Sequence, residues 1–297
     1  MVDFSIIVVS YRSIRDLPVL LGTVDDAVAG ATWHATIVNN AVDDPLDAIT
    51  HSAHVSVIEA GANLGYSGGI NLGLSHAPDA RWTVFLNPDL LLRPGSLARL
   101  AEALQSGAAA AVPLIVDDHG RRQHSLRREP GVLSAAGEAC FGDSWAGRPQ
   151  NLAETVRNPF EYDRAHPIDW ATGAVLAVRS DVVKGIGRWD ESLFFMYSEE
   201  TDYARRIRSA GGIIQFVPEA IVEHRGGGSG SSPKLDALLE VNKLRYFRKW
   251  HGPVAAGAFG AILVLRNAVR PHRPGARAAT RALLSRRERA TLPGGLR

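Results

Sequence analysis

The run Phe4-Ser5-Ile6-Ile7-Val8-Val9 constrains this chain more than any other feature. It is apolar on consecutive positions and rich in β-branched residues. A strand that can hide both of its faces belongs in a parallel sheet covered by helices on either side. The following segments keep to that plan. Leu17, Leu20, Leu21, Val24 and Val28 recur at helical spacing, with Pro18 early enough to sit in a first turn. Thr36-Ile37-Val38, Val55-Ser56-Val57-Ile58 and Trp82-Thr83-Val84-Phe85-Leu86 read as further strands, the last two separated by a Gly-rich segment and a short helix. Ser96 is placed to cap a helix carrying Leu97, Leu100, Ala101 and Leu104, with Gly107 beyond its end. The alternation predicts an α/β fold with a mostly parallel central sheet flanked by helices.

Residues 117–168 break the rhythm. They carry Arg121-Arg122, Arg127-Arg128, Gly and Pro without clear strands, and read as a long loop region beside a site. Regularity returns with Gly173 to Val178 and with Ile213 to His224. Gly226 to Ser232 has the composition of a flexible linker, and the pattern turns helical from Leu235. The expected organisation is a body over residues 1–232 and a helical extension over 233–297.

Charge divides the chain in nearly the same place. The formal net charge of +2 conceals a net of −10 over residues 1–240 and +12 over residues 241–297. In the tail, Lys243, Arg245, Arg248 and Lys249 interleave with Leu244, Tyr246, Phe247 and Trp250, and eight arginines follow between Arg266 and Arg289. Basic residues with aromatic anchors suit an anionic membrane surface, and no other segment resembles a nucleic-acid module. Pro253 to Leu265 is apolar for thirteen residues, too short to span a bilayer and expected as a core or interfacial helix. The N-terminus has no basic region or cleavage site, so no secretory signal is expected. A single cysteine, Cys140, excludes an internal disulfide framework and a multi-cysteine zinc site.

Four constellations could carry chemistry. Asn87-Pro88-Asp89 directly follows the Trp82–Leu86 strand, where open α/β sheets bind ligands, and a carboxylate there suits a divalent cation shared with substrate phosphates. The same three residues also make an ordinary turn. Asn63 to Asn71 is a Gly-rich opening to a helix whose free N–H groups could meet an anion, or a tight turn. Asp190, Glu191, Glu199, Glu200 and Asp202 place five carboxylates within thirteen residues among aromatic side chains. Ser198 and the acids after it could simply cap a helix with Tyr203, Ile207 and Ala210 on its core face. Two adjacent glutamates at an apolar site are also what a general base needs, since burial and like charge raise proton affinity. Glu223-His224 ends a strand before a Gly-rich loop, and His224 could ligate a metal or serve structurally.

In order and spacing, these pieces resemble the large inverting glycosyltransferase family 2, with its nucleotide-diphosphate-sugar-binding GT-A fold. The resemblance covers about residues 3–250. It rests on Ser5 to Tyr11, Val38-Asn39-Asn40, Asn63 to Asn71, Leu86 to Asp89, Thr172-Gly173-Ala174, Gly187 to Glu191, Phe195 to Asp202, and His224. Asn-Pro-Asp and the Phe-Met-Tyr segment before the acidic pair are similar to the rhamnosyltransferase branch. The resemblance implies that Ser10, Tyr11 and Asn39 line the nucleotide base pocket. It implies that Asn63, Gly65, Asn71 and Asn87 approach the nucleotide and donor sugar, and that Asp89 and His224 bind Mg²⁺ or Mn²⁺ on the diphosphate. Glu200 is implied as general base, with Glu199 beside it and Asp190 near the acceptor. Three positions depart from the family pattern: Asn39 stands where Asp is frequent, Asn87-Pro88-Asp89 where Asp-x-Asp is frequent, and Glu199-Glu200 where Glu-Asp is usual. The extra methylene leaves the choice between the two glutamates open. The implied donor is dTDP-rhamnose and the implied acceptor a polyprenyl-diphosphate-linked GlcNAc lipid of cell-wall assembly, met in the cytoplasm or at the cytoplasmic face of the plasma membrane. The oligomeric state is open. The rival readings are another nucleotide sugar on the same scaffold, and a non-catalytic membrane-bound nucleotide-sugar-binding module.

Overall fold

The computed structural model describes residues 1–44, 46, 49, 53–142, 147–225 and 232–295. Strands β1 (Val2–Ser10), β2 (Trp33–Asn39), β3 (Val55–Glu59) and β4 (Ala80–Leu86) are parallel in the order β3-β2-β1-β4. Ile6 of β1 lies opposite Ala35 and Val84. Helices α1 (Leu17–Leu21), α2 (Val24–Val28) and α3 (Gly65–His76) connect them. The chain continues through β5 (Leu90–Leu92), α4 (Ser96–Gln105), β6 (Ala110–Val116), β7 (Leu126–Arg127), α5 (Val132–Phe141), β8 (His166–Pro167), β9 (Trp170–Ala171) and β10 (Val175–Arg179). It closes with α6 (Ser180–Ile186), α7 (Glu199–Ser209), β11 (Ile214–His224), α8 (Pro233–Trp250), α9 (Pro253–Ala268), α10 (Pro274–Leu284) and α11 (Arg286–Ala290).

β10 enters the sheet antiparallel, between β4 and β6. β6 then pairs parallel with β11, whose other partners β5 and β8 run antiparallel to it. β7 and β9 form a separate two-stranded ribbon.

The double burial expected of β1 is present. Phe4, Ile6 and Val8 join one core cluster with Leu17, Leu20, Val24, Leu97 and Leu100. Ile7 and Val9 join the opposite one with Ile70, Val183, Tyr203 and Ile207. A third cluster unites α8, α9 and α10 with Ala135 of α5, and Phe195, Met196 and Tyr197 pack against it. The Phe247 and Phe259 rings stack at 4.1 Å between centroids there. No helix among the described residues is long and apolar enough to cross a membrane.

Local structure departs from the sequence expectations at four points. The helix expected over Leu17–Val28 is two, because Gly22 ends α1 and the Thr23 hydroxyl turns outward to accept from Leu92 N at 3.2 Å. Ser96 is the first helical residue of α4, and Gly95, at φ +73°, takes the cap position. Ala210 lies exposed beyond α7, and Ala204 joins Tyr203 and Ile207 on the core face. The region expected as loop contains α5, whose buried side is Ser134, Ala135, Gly137 and Glu138. Small and polar residues on a buried face leave no apolar periodicity to read. The expected linker at 226–231 lies outside the described residues; Ser232 caps α8 by accepting from Leu235 N.

Candidate active site

The carboxyl ends of β4 and β11 meet through β5. His224 pairs in register with Leu90, which brings the preceding residue, Asp89, to the imidazole: Asp89 Oδ1 lies 3.3 Å from His224 Nε2. Gln123 Nε2 donates to the His224 carbonyl at 2.9 Å, and Asn87 N donates to Ala174 O at 2.9 Å, fixing both strand ends. Burial pushes the Asp89 carboxyl up, but the His224 contact, a backbone bond and Arg225 outweigh it and hold Asp89 below the usual carboxylate range. One carboxylate and one imidazole fit a divalent cation whose other ligands are substrate phosphate oxygens and water. Among the described residues no third His, Cys, Asp or Glu joins them.

The Gly-rich opening of α3 faces the acidic segment. Asn63 Oδ1 accepts from Gly65 N at 3.0 Å, and Gly65 takes φ +75°. A Cβ at Gly65 would lie 2.2 Å from the Phe195 carbonyl oxygen. That carbonyl accepts from Tyr66 N at 2.7 Å. Glycine is therefore required twice over, by the left-handed backbone and by the close approach.

α7 begins with the glutamate pair after two consecutive non-glycine residues in the left-handed region, Tyr197 at φ +73° and Ser198 at φ +68°. Such conformations cost about 1–3 kcal/mol each and persist where the surroundings hold them. Asn242 of α8, wholly buried, supplies the hold: its Nδ2 donates to Met196 O at 2.7 Å and Tyr197 O at 3.2 Å. Ser198 occupies the N-cap position, as the sequence suggests, but its side chain makes no capping bond. The turn buries Glu199 and leaves Glu200 half-buried, each with Oε2 buried and without a hydrogen-bond partner. Burial raises both carboxyls above the usual range, and the Glu200 charge raises Glu199 further. Glu200 lies against Gly173 and lines two small cavities, one reaching Trp189 and the other Lys243 and Tyr246. Two buried carboxyls with unsatisfied oxygens are poised to accept protons, and Glu200 is the one that faces open space.

The remaining expected site residues divide. Ser10 is buried and its hydroxyl lacks a partner, while Tyr11 is 44% exposed at the same strand end. Asn39 is engaged internally: Nδ2 donates to Asp44 O and to the Glu59 carboxylate, and Oδ1 accepts from Ala41 N. Asn71 is also engaged, exchanging bonds with Trp189 N and O at 2.9 Å and donating to Glu191. Asn39 and Asn71, expected from the resemblance to approach the nucleotide and sugar, thus each carry several internal hydrogen bonds. Asp190 accepts from Ser192 Oγ, Leu193 N and, at 2.8 Å, Lys249 Nζ. Its carboxyl, raised by burial but lowered more by Lys249 and Ser192, stays below the usual range. It is a clamp between the acidic segment and α8.

Three contributors were assigned no site role from sequence. Tyr66 is half-buried with its hydroxyl donating to Gly173 O at 3.4 Å, and desolvation together with the charges of Glu199, Glu200 and Asp89 pushes its proton affinity up. Arg127 lies within electrostatic reach of Glu200. Asp202, with no side-chain exposure, accepts from Arg206 Nε at 3.1 Å, Lys249 Nζ at 2.8 Å and Trp250 Nε1 at 2.8 Å.

Comparison with known proteins bears on this geometry. The profile of "Glycosyl transferase family 2" matches residues 5–166, more than half of the chain. The chain belongs to glycosyltransferase family 2. Its fold is GT-A-like, as the solved structures it resembles show. GalNAc-T7 with UDP, GalNAc and Mn²⁺ aligns at TM-score 0.58 and 16% identity, over 90% of this chain and 55% of that one. The mannosyltransferase PcManGT of Pyrobaculum calidifontis, with GDP-Man and Mn²⁺, aligns at TM-score 0.56 and 13% identity, over 99% and 79%. Among curated proteins, the N-acetylglucosaminyl-diphospho-decaprenol L-rhamnosyltransferase of Mycobacterium tuberculosis is 30% identical over 202 residues, 64% of this chain and 65% of that protein. The low-salt glycan biosynthesis hexosyltransferase Agl10 of Haloferax volcanii is 27% identical over 217 residues, 69% of this chain and 62% of that protein. The chain thus spans just under two thirds of the length of the curated relatives it matches. The two glutamates with Asp89 and His224 form its candidate catalytic centre.

Proposed function

We propose that this chain is an inverting, divalent-metal-dependent rhamnosyltransferase that moves L-rhamnose from dTDP-β-L-rhamnose to N-acetylglucosaminyl-diphospho-polyprenol, forming an α-1,3 linkage. The observation that carries the reading is the Glu199-Glu200 pair, each with a buried Oε2 that lacks a partner, together with the Asp89–His224 pair, in a chain 30% identical over 64% of its length to an enzyme of that name. Glu200 accepts the proton of the attacking acceptor hydroxyl at a carboxylate oxygen. The hydroxyl oxygen bonds to the anomeric carbon as its bond to the nucleoside diphosphate breaks, so the carbon inverts. Glu199, raised by burial and by the Glu200 charge, contacts no reacting atom in this reading. Ser10, Tyr11 and the β2 end shaped by Asn39 receive the base; Asn63, Gly65 and Asn87 border the donor. Asp89 and His224 would hold Mg²⁺ or Mn²⁺, which supplies neutralising charge to the departing diphosphate. In this reading residues 1–232 form the catalytic unit. Residues 233–297 brace it and carry the positive charge that favours an anionic membrane surface at the cytoplasmic face.

The test is turnover with dTDP-rhamnose and a GlcNAc-diphosphate lipid. Glu200→Gln is expected to lower kcat by 10²–10⁴-fold, the range of general-base contributions. Because burial raises the carboxyl, kcat/KM should climb with pH through a limb above the ordinary glutamate value of 4.5. A preference for a UDP or GDP sugar would replace the donor while leaving the enzyme class intact.

A further inference from the structure

A cavity of about 300 Å³ opens between α8 and the α10–α11 corner. Four arginines line it, Arg245, Arg248, Arg286 and Arg289, together with aliphatic side chains that include Leu244 and Leu283. No aspartate or glutamate lines it. Glu288, on the same short helix, is exposed and turned elsewhere. The ion pairs of the C-terminal helices run through Lys249 and Arg266 instead, to Asp190, Asp202, Glu138 and Glu240. Among the described residues, the four guanidinium groups thus line one cavity without an acidic side chain beside them. Burial, then Arg289, lowers the proton affinity of Arg245; burial, then Arg248 and Arg286, lowers that of Arg289. Like charges gathered around one hollow are unfavourable until an anion fills it. Guanidinium forks match phosphate oxygens in geometry and charge.

The position of the cavity narrows the choice of anion. Arg245 donates to Leu193 O at 3.3 Å and to Asn242 Oδ1 at 3.0 Å. Asn242 holds the carbonyls of Met196 and Tyr197, the turn that presents the glutamate pair. The cavity is thus one side chain away from the catalytic turn, on the helix that braces it. We propose that this cavity seats the diphosphate of a lipid-linked acceptor, with Arg245, Arg248, Arg286 and Arg289 on the phosphate oxygens and Leu244 and Leu283 beside the first hydrocarbon units. The proposal rests on the acceptor reading given above and assigns that acceptor a binding site.

Inorganic pyrophosphate is the probe, titrated calorimetrically into the full chain in buffer with a metal chelator. Arg248 and Arg286 are exposed and make no hydrogen bond among the described residues, so the double variant Arg248→Ser/Arg286→Ser should fold. Its pyrophosphate Kd should rise at least tenfold, and Arg248→Lys/Arg286→Lys should fall between it and wild type. With a GlcNAc-diphosphate lipid in neutral detergent, the Ser variant should raise the acceptor KM at least tenfold and the dTDP-rhamnose KM less than twofold. The proposal is overturned if wild type does not bind pyrophosphate, or if the Ser variant binds it equally well. It is also overturned if the variant loses only its binding to phosphatidylglycerol vesicles with acceptor KM unmoved, which would make the cavity a phospholipid headgroup site. If wild type turns over no lipid diphosphate, the acceptor reading fails separately, and the pyrophosphate titration still decides whether the cavity takes a diphosphate.

Discussion

Asp202 ties α7 to the C-terminal helices, and its removal should have a measurable cost. Its carboxylate is fully buried and accepts from Arg206, Lys249 and Trp250, at 3.1, 2.8 and 2.8 Å. Removing one side of a buried charged network costs about 3–5 kcal/mol, because the groups left behind are uncompensated. Here part of that loss is relieved. Lys249 keeps Asp190, and Arg206 keeps the Ile186 and Arg188 carbonyls at 3.1 and 2.9 Å. Trp250 loses the partner of its indole N–H. Asp202→Ala should therefore fall near the lower end, about 3 kcal/mol. Asp202→Asn, which can still accept from Trp250, should cost about 1–2 kcal/mol. Urea denaturation gives the difference directly. At roughly 2 °C per kcal/mol for a chain of this size, the Ala variant should melt about 6 °C lower. A cycle with Lys249→Met should show coupling above about 0.5 kcal/mol. If Asp202→Ala unfolds within about 0.5 kcal/mol of wild type, the network does not fasten α8 to α7 and this reasoning fails.

Other consequences follow from the same geometry. Asn242→Ala frees the strained Tyr197–Ser198 turn and should lower kcat at least about tenfold while KM moves little; an unchanged kcat in a folded variant would remove Asn242 from the site. Gly65→Ala places a methyl against the Phe195 carbonyl in a left-handed backbone. It should cost at least about 1–2 kcal/mol and weaken donor binding, checked by melting and nucleotide titration. Glu199, raised by burial and by Glu200, binds more protons folded than unfolded above pH 4.5, so its contribution to stability is lost as pH rises through the raised value. Glu199→Gln should match wild-type stability near pH 4 and exceed it near pH 7.5, by about 1.4 kcal/mol per unit of the shift; pH-resolved denaturation curves decide this.

Much of this fold is legible in the chain because β1 is apolar on consecutive positions and its neighbours are spaced by helices. The insertion of β10 antiparallel between β4 and β6 is not, since strand direction depends on how the loops return and leaves no mark on a run such as Val175 to Val178. α5 escapes detection because its buried face is made of small residues. At the candidate site, the hydrogen-bond partners that decide what each side chain does lie far away in sequence. Asn39 and Asn71 have the composition of ligand contacts but are engaged with Glu59 and Trp189. Asp190 and Asp202 belong to Lys249, 59 and 47 residues downstream. The left-handed Tyr197 and Ser198 carry no glycine to announce the turn; what holds it is Asn242, in a helix that sequence alone assigns to an extension.

The central claim, that Glu200 drives inverting transfer of rhamnose to a lipid diphosphate sugar, is tested most directly by one reaction. The full chain is incubated with dTDP-β-L-rhamnose, a GlcNAc-diphosphate polyprenol and Mg²⁺ or Mn²⁺, and the product linkage is read by NMR. An α-rhamnosyl product that forms with wild type and falls at least about a hundredfold with Glu200→Gln is the predicted result. A β-linked product, or undiminished transfer by Glu200→Gln, would contradict it.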